Sequence, residues 1–286
     1  MDPAAPPSRP VSEPVGSKTT KQTVIAVRRW TASLCSLRVT RDPAFRFTAG
    51  HYARLGLADA GGTVVTRPMS IASAPFQPHL DFLCTLVEGG ELSSRLATCA
   101  PGDAAWIDRA SYGFLTLPGV APGPDLWMLA TGTGIAPFLA MLEEPATWSR
   151  FERIVVVLSV RHADELASAD AVAAFERDPS AAPGPARLTF LPVVTREPGA
   201  TRLARRIPEM LEDGTLADAA DLPIDVARSR VLTCGNPAMA REVRRILSAR
   251  GFATARRATP GTMLFENYWH DRGAVVAVQE APPPTA

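Results

Sequence analysis

The chain is poor in the residues that build metal centres and disulfide frameworks. It has 4 cysteines and 4 histidines among 286 residues. Cys35, Cys84, Cys99 and Cys234 form no CxxC pair, which argues against a zinc site or an iron–sulfur cluster. Their spacing matches no disulfide scaffold, so a reducing compartment, the cytoplasm, is expected. His51, His79, His162 and His270 are scattered and read as structural or surface residues, so no metal is expected. Neither sign of charge dominates: a net charge of +1 supplies no strong field for nucleic acid or a membrane surface. No apolar run is long enough to span a bilayer, and no charged-then-apolar leader opens the chain. Internal repeats are lacking. Residues 1–21 and 282–286 have few large apolar side chains and are expected to be disordered tails.

What remains has the 46% hydrophobic and 21% charged content of a soluble globular protein. From Gln22 to about Leu117 the pattern is short and β-like. Thr23–Val27, Leu34–Val39, His51–Leu55 and Leu80–Val87 are strand candidates, divided by Asp42-Pro43, Gly61-Gly62, Gly89-Gly90 and Pro101-Gly102. A short helix is expected over Ser93–Thr98. Such spacing suggests a small barrel or sandwich. Pro118–Pro124 reads as a linker. After it, apolar runs (Leu126–Ala130, Ile154–Val160, Leu188–Val194, Val231–Cys234) alternate with helical patterns (Pro137–Glu144, Glu165–Arg177, Leu203–Glu212, Pro237–Arg250). That order predicts a doubly wound parallel sheet with helices on both faces.

Leu126–Leu142 carries the most chemistry. An apolar strand ends in Thr131-Gly132-Thr133-Gly134, and Pro137 suits the first turn of a helix. A strand, glycine turn and helix start aim free N–H groups at one spot, which suits phosphate; the same turn also serves as an ordinary strand-to-helix connection. Ligands of open parallel sheets bind beyond the carboxyl ends of the strands. Those ends gather the glycine turn, Arg161, Arg196 and Cys234-Gly235-Asn236-Pro237 on one rim. An arginine directly after the second strand favours NADP over NAD, although both arginines could be solvated loop residues. In the β region, Arg67-Pro68-Met69-Ser70-Ile71-Ala72-Ser73 could hold a pyrophosphate or form an edge strand closed by Pro68.

Taken in order, these motifs resemble the ferredoxin–NADP reductase family, bacterial branch, over roughly 22–269. The resemblance rests on Arg67-x-x-Ser70, Gly90-Glu91-Leu92-Ser93-Ser94-Arg95-Leu96, Gly132-Thr133-Gly134-Ile135-Ala136-Pro137, Cys234-Gly235-Asn236-Pro237-x-Met239 and Glu266-Asn267-Tyr268-Trp269. Beyond the tail read from composition (1–21), it implies an FAD-binding six-stranded antiparallel β-barrel (22–118), an NADP-binding α/β domain (124–258) and a C-terminal motif closing over FAD (259–286). It further implies that Arg67 pairs with the FAD pyrophosphate, with Pro68 and Met69 beside it, and that Ser70 hydrogen-bonds near flavin N5. Leu92, Ser93 and Ser94 would cradle the phosphates, Thr133 would lie near the flavin, and Trp269 would stack on the folded-back FAD. Gly132, Gly134 and Gly235 would approach NADP(H). Arg161, Arg196 and Arg206 would take its 2′-phosphate. Cys234 and Glu266 would flank the nicotinamide, making Ser70, Cys234 and Glu266 the catalytic set. Met69 stands where the family usually has a tyrosine, and the chain continues past the usual Tyr-Trp end, where Val275–Val278 could add a strand. The implied activity is electron transfer between NADPH and ferredoxin or flavodoxin, by a monomer with a basic rim of Arg28, Arg29, Arg95, Arg256 and Arg257. An oxygenase reductase component, a stand-alone flavin reductase and a non-catalytic nucleotide sensor are the alternatives.

Overall fold

The computed structural model describes residues 18–59, 61–256 and 259–267. The first half is antiparallel: β1 (Thr19–Arg29), β2 (Leu34–Thr40), β3 (Tyr52–Ala58), β4 (Val64–Ser70), β5 (His79–Thr85), helix α1 (Glu91–Thr98) and β6 (Ala104–Asp108). The sheet order is β4-β3-β6-β1-β2-β5. A single bridge, Ile71 to Phe82, brings the two edges together, giving a partly closed barrel. Inward residues of alternating strands fill it: Leu37, Leu55, Phe82 and Ile107, with Leu92 and Leu96 of α1 plugging one end.

The second half contains β7 (Asp125–Thr131), α2 (Ala136–Glu143), α3 (Pro145–Arg150), β8 (Arg153–Val160), α4 (Asp170–Arg177), β9 (Arg187–Val194), α5 (Ile207–Glu212), α6 (Thr215–Ala220), β10 (Ser229–Gly235), α7 (Pro237–Ala249) and β11 (Met263–Asn267). All five strands are parallel, in the order β11-β10-β7-β8-β9. The chain winds outward from β7 through β8 to β9, then returns to the other side of β7. The crevice between the ends of β7 and β10 is therefore the switch point where such sheets bind ligands. Alternate residues of β7 serve opposite faces: Leu126, Met128 and Ala130 pack with Phe138 and Trp148, whereas Trp127 and Leu129 pack with Met210, Val243 and Leu247.

Barrel and sheet share one core. Leu34, Ala49, Ala72 and Leu83 of the barrel belong to the same buried cluster as Ile135, Phe138 and Met141. Gln77 Nε2 donates to Glu143 Oε2 across the junction at 3.0 Å. The relative placement of the two halves is thus set by apolar burial.

Several boundaries differ from the sequence reading. β1 begins at Thr19 inside the expected tail, because Thr19–Thr23 pair with Ala104–Asp108 of β6, a strand not anticipated. The Arg67–Ser70 stretch is the edge strand β4, where Pro68 needs no ladder donor. The helix expected over Glu165–Arg177 is a 3₁₀ segment, Ala163–Ala169, followed by α4. The helix expected from Leu203 starts at Ile207, with Pro208 in its first turn. Residues 263–267 join the parallel sheet as β11. Trp269, Arg257 and Val275–Val278 lie outside the described residues.

The glycine turn and the β10 turn nest without side chains between them. A Cβ on Gly134 would lie 2.4 Å from the Cys234 carbonyl oxygen. Gly134→Ala is expected to lower stability by about 2–3 kcal/mol through overpacking against backbone. Thermal denaturation checks this, and an unchanged Tm would mean the turns separate easily.

Candidate functional site at the barrel–sheet junction

β4 ends in Ser70, which is 1% exposed. Its Oγ donates to Glu266 Oε1 at 3.1 Å. Glu266 lies on β11, whose parallel register sets it beside Cys234 of β10. Three residues far apart in sequence, one on the barrel edge and two on the sheet, thereby meet. The Glu266 carboxyl is pushed up to about 7 because burial penalises its charge; the Ser70 hydrogen bond pulls the other way and loses. Although Glu266 as a residue is half-buried, its Oε2 is shut off from water with no hydrogen-bond partner among the described residues. Such an orphan acceptor in a polar crevice fits a site shaped for another group.

Cys234 is fully buried, and burial, then the neighbouring Glu266 carboxylate, raises its thiol well above the ordinary value. It is a neutral, small, polarizable contact, since a nucleophilic cysteine needs the thiolate. Gly235 at φ +129 is held so close that a Cβ would sit 2.2 Å from Thr131 Oγ1. That hydroxyl accepts from Asn236 N at 2.7 Å, tying the β7 and β10 ends together. Asn236 in turn caps α7, its Oδ1 accepting from Ala238 N and Met239 N. Gly132 adopts a left-handed φ of +53 and faces open space, while Thr133 and Gly134 are buried. The turn can therefore present backbone N–H groups to a ligand on one side only.

The barrel's candidate phosphate site is also assembled. Arg67 Nη2 lies 3.0 Å from Glu91 Oε2 at the start of α1, and Arg67 Nη1 donates to Thr66 O. Both partners of the pair are largely exposed, so the pair is weak and exchangeable. No side chain caps the first turn of α1, leaving its N–H groups open. The Ser93 hydroxyl accepts from Val87 N and the Ser94 hydroxyl donates to Gly90 O. Leu92 turns its side chain into the barrel core. Met69 is half-buried against that same core, on the sheet face of Arg67.

Arg161 and Arg196 follow β8 and β9, and Arg196 N donates to Arg161 O at 3.0 Å. Arg206 stands at the N-cap of α5. All three are exposed, and their guanidinium groups have no partner among the described residues. Neighbouring Arg202 and Arg205 are engaged, with Ala219 O and with Asp213 and Thr215. The supposed basic rim is less free: Arg29 donates to Leu96 O and Ala97 O, Arg95 to Asp59 and Glu91 O, and Arg28 stacks on Trp30.

Thr131 and Asn236 stand in the sequence motifs without a role of their own, and Tyr52 carries no site signal at all. Tyr52 pairs with Ser70 across β3 and β4, and its phenol is pushed up by burial and by the Glu266 charge. The Asn-Pro pair ahead of an apolar helical pattern was a readable N-cap signal for Asn236. Nothing local marks Tyr52, which reaches the site through register; the role of Thr131 as acceptor for Asn236 N likewise comes from pairing. Among the described residues no group of three His, Cys, Asp or Glu could hold a metal, and no helix is long and apolar enough to cross a membrane.

The fold and junction define a two-domain protein in which a barrel presents an edge strand to the ligand end of a nucleotide-type sheet. Residues 128–245 match the oxidoreductase NAD-binding domain family. The chain is 38% identical over 257 residues to ferredoxin–NADP reductase A of Sorangium cellulosum, covering 86% of this chain and 89% of the relative. It is 36% identical over 247 residues to the flavodoxin/ferredoxin–NADP reductase of Escherichia coli, covering 86% and 97%. The crystal structure of a ferredoxin NADP+ reductase from Neisseria gonorrhoeae with bound FAD and NADP superposes with a TM-score of 0.81 at 31% identity, covering 88% of this chain and all of that one. The chain belongs to the ferredoxin–NADP reductase family.

The folded value of Glu266 lies above the unfolded one, so the folded state binds that proton more tightly. Its contribution to stability is full below the ordinary carboxylate range and is lost as pH rises through about 7. Difference infrared spectra of the protein freed of nucleotides should show a protonated-carboxyl band titrating near pH 7 and missing from Glu266→Gln. A band titrating in the ordinary carboxylate range would contradict the burial argument.

Proposed function

We propose that this protein is an FAD-dependent ferredoxin/flavodoxin–NADP+ reductase, an oxidoreductase moving electrons between NADPH and a one-electron carrier protein. The observation carrying the reading is the Ser70–Glu266 contact beside Cys234, where the barrel edge meets the sheet's switch point. FAD, when bound, supplies the conversion between a two-electron hydride and single electrons.

The residues fit both nucleotides. Arg67 can exchange its exposed Glu91 partner for a pyrophosphate, assisted by the uncapped N–H groups of α1 at Leu92 and Ser93, with Ser94 following at the end of that turn. Pro68 and Met69 hold the intervening edge, with a thioether filling the space of the family's usual aromatic ring. Gly132, Thr133 and Gly134 with Gly235 allow backbone to approach the nicotinamide nucleotide. Arg161, Arg196 and Arg206, whose guanidinium groups have no partner among the described residues, supply donors for the 2′-phosphate.

Ser70 orients its hydroxyl against Glu266. Glu266, whose carboxyl sits near 7, can hold or release a proton at its buried oxygen close to neutral pH. Cys234, buried in the core beside Glu266, stays protonated. Burial of Ser70, Cys234 and the Glu266 Oε2 atom keeps water from that oxygen. Carrier docking near the junction would draw on acidic-to-basic steering, although Arg29 and Arg95 serve the barrel itself.

Anaerobic addition of NADPH to the FAD-loaded protein should bleach the flavin, and ferredoxin or flavodoxin should restore its colour. Reoxidation only by free flavins would favour a stand-alone flavin reductase, and only by an oxygenase, its reductase component. A flavin that NADPH leaves oxidised would contradict the proposal outright. Arg67→Ala should weaken FAD binding by roughly tenfold or more, the scale of a charge-assisted contact. Equilibrium dialysis or fluorescence titration of the apoprotein checks it, and an unchanged affinity would remove Arg67 from the pyrophosphate.

A further inference from the structure

Among the described residues the Arg161 and Arg196 guanidinium groups have no partner, although acids of their own chain lie beside them. Glu197 follows Arg196 directly, and Glu165 lies on the turn after Arg161. Both carboxylates are held elsewhere. Glu197 Oε1 is 3.0 Å from His162 Nδ1, and Glu197 Oε2 accepts from Ala163 N at 3.3 Å. Glu165 Oε2 accepts from Arg161 N at 3.4 Å, using the backbone of that arginine and leaving its guanidinium. Meanwhile the backbones after β8 and β9 stay zipped: Thr195 N and Oγ1 each bond Val160 O at 3.0 Å, and Arg196 N bonds Arg161 O at 3.0 Å. The two arginines are thus fixed side by side at their backbones, while the Glu197 carboxylate is bonded to His162 and Ala163 of the neighbouring turn.

We infer that His162 is a specificity-determining residue for the adenosine 2′-phosphate: it keeps the Glu197 carboxylate off Arg161 and Arg196. The inference rests on the assignment of those arginines given under Proposed function. His162 Nδ1 carries the proton toward the carboxylate, which can only accept. The side chains of His162 and Glu197 are 48% and 43% exposed, so a released carboxylate would be free to swing. It would then compete with the phosphate for the same guanidinium donors and repel the phosphate directly. A nucleotide without the 2′-phosphate would not sense the change. His162 acts through Glu197 and is a positioning residue, touching neither nicotinamide nor flavin.

The test is calorimetric binding of adenosine 2′,5′-bisphosphate and of adenosine 5′-diphosphate to the FAD-loaded protein. His162→Ala should weaken the bisphosphate about fivefold, the scale of one exposed ion pair, and leave the diphosphate unchanged. The double variant His162→Ala/Glu197→Gln, which keeps the side chain and removes its charge, should return bisphosphate affinity to within about twofold of the native protein. Either unchanged discrimination in His162→Ala or a loss that Glu197→Gln fails to restore would overturn the inference, the second because it would mark a merely structural role. Arg196→Ala serves as the separate control and should weaken only the bisphosphate. If it treats the two nucleotides alike, the 2′-phosphate assignment itself falls, and the role of His162 with it.

Discussion

The hydrogen bond from Ser70 to Glu266 joins the last residue of a barrel edge strand to the last strand of a parallel sheet, and the site exists because those two edges are held in contact. Neither residue could find the other through local structure, being 196 positions apart. What brings them together is the parallel register of β10 and β11, which sets Glu266 beside Cys234, and the buried cluster shared by barrel and sheet. Burial then does chemical work. It keeps the Cys234 thiol protonated and lifts the Glu266 carboxyl into the neutral range, so the same apolar packing that fixes the geometry sets the protonation states.

Around that contact the protein keeps backbone close and side chains away. Gly134 against Cys234, and Gly235 against Thr131, leave no room for a Cβ, so the β7 and β10 turns form one unit at the switch point. Thr131 Oγ1 and the Asn236 cap lock that unit to α7. The charged groups follow the opposite rule. Arg67, Arg161, Arg196 and Arg206 sit at the periphery with weak partners or, among the described residues, none, where a cationic donor can exchange solvent or an exposed acid for phosphate at small cost.

Much of this was legible in the sequence because the strongest signals were periodic or motif-like. The apolar runs at 126–130, 154–160 and 188–194 each became a strand of the parallel sheet with its ends shifted by a residue or so. The three residues named as the catalytic set, Ser70, Cys234 and Glu266, do meet in space. What could not be read depends on partners distant in the chain. Thr19–Lys21 look like tail until β6 supplies their ladder, and 263–267 look like a loose terminus until β10 does. The Arg67–Glu91 pair, the inward use of Arg29 and Arg95, and Tyr52 facing Ser70 are products of register and packing that composition does not encode. Helix starts were misplaced where a 3₁₀ turn or a first-turn proline intervened, as at Ala163 and Ile207.

The central claim is that Ser70 and Glu266 act as one unit at the meeting point of the two domains. A double-mutant cycle on the rate of flavin reduction by NADPH, using Ser70→Ala, Glu266→Gln and both together, measures that directly. The account predicts strong non-additivity, the second substitution costing little once the first is made. Fully additive losses, or single variants that reduce flavin at the native rate, would contradict it.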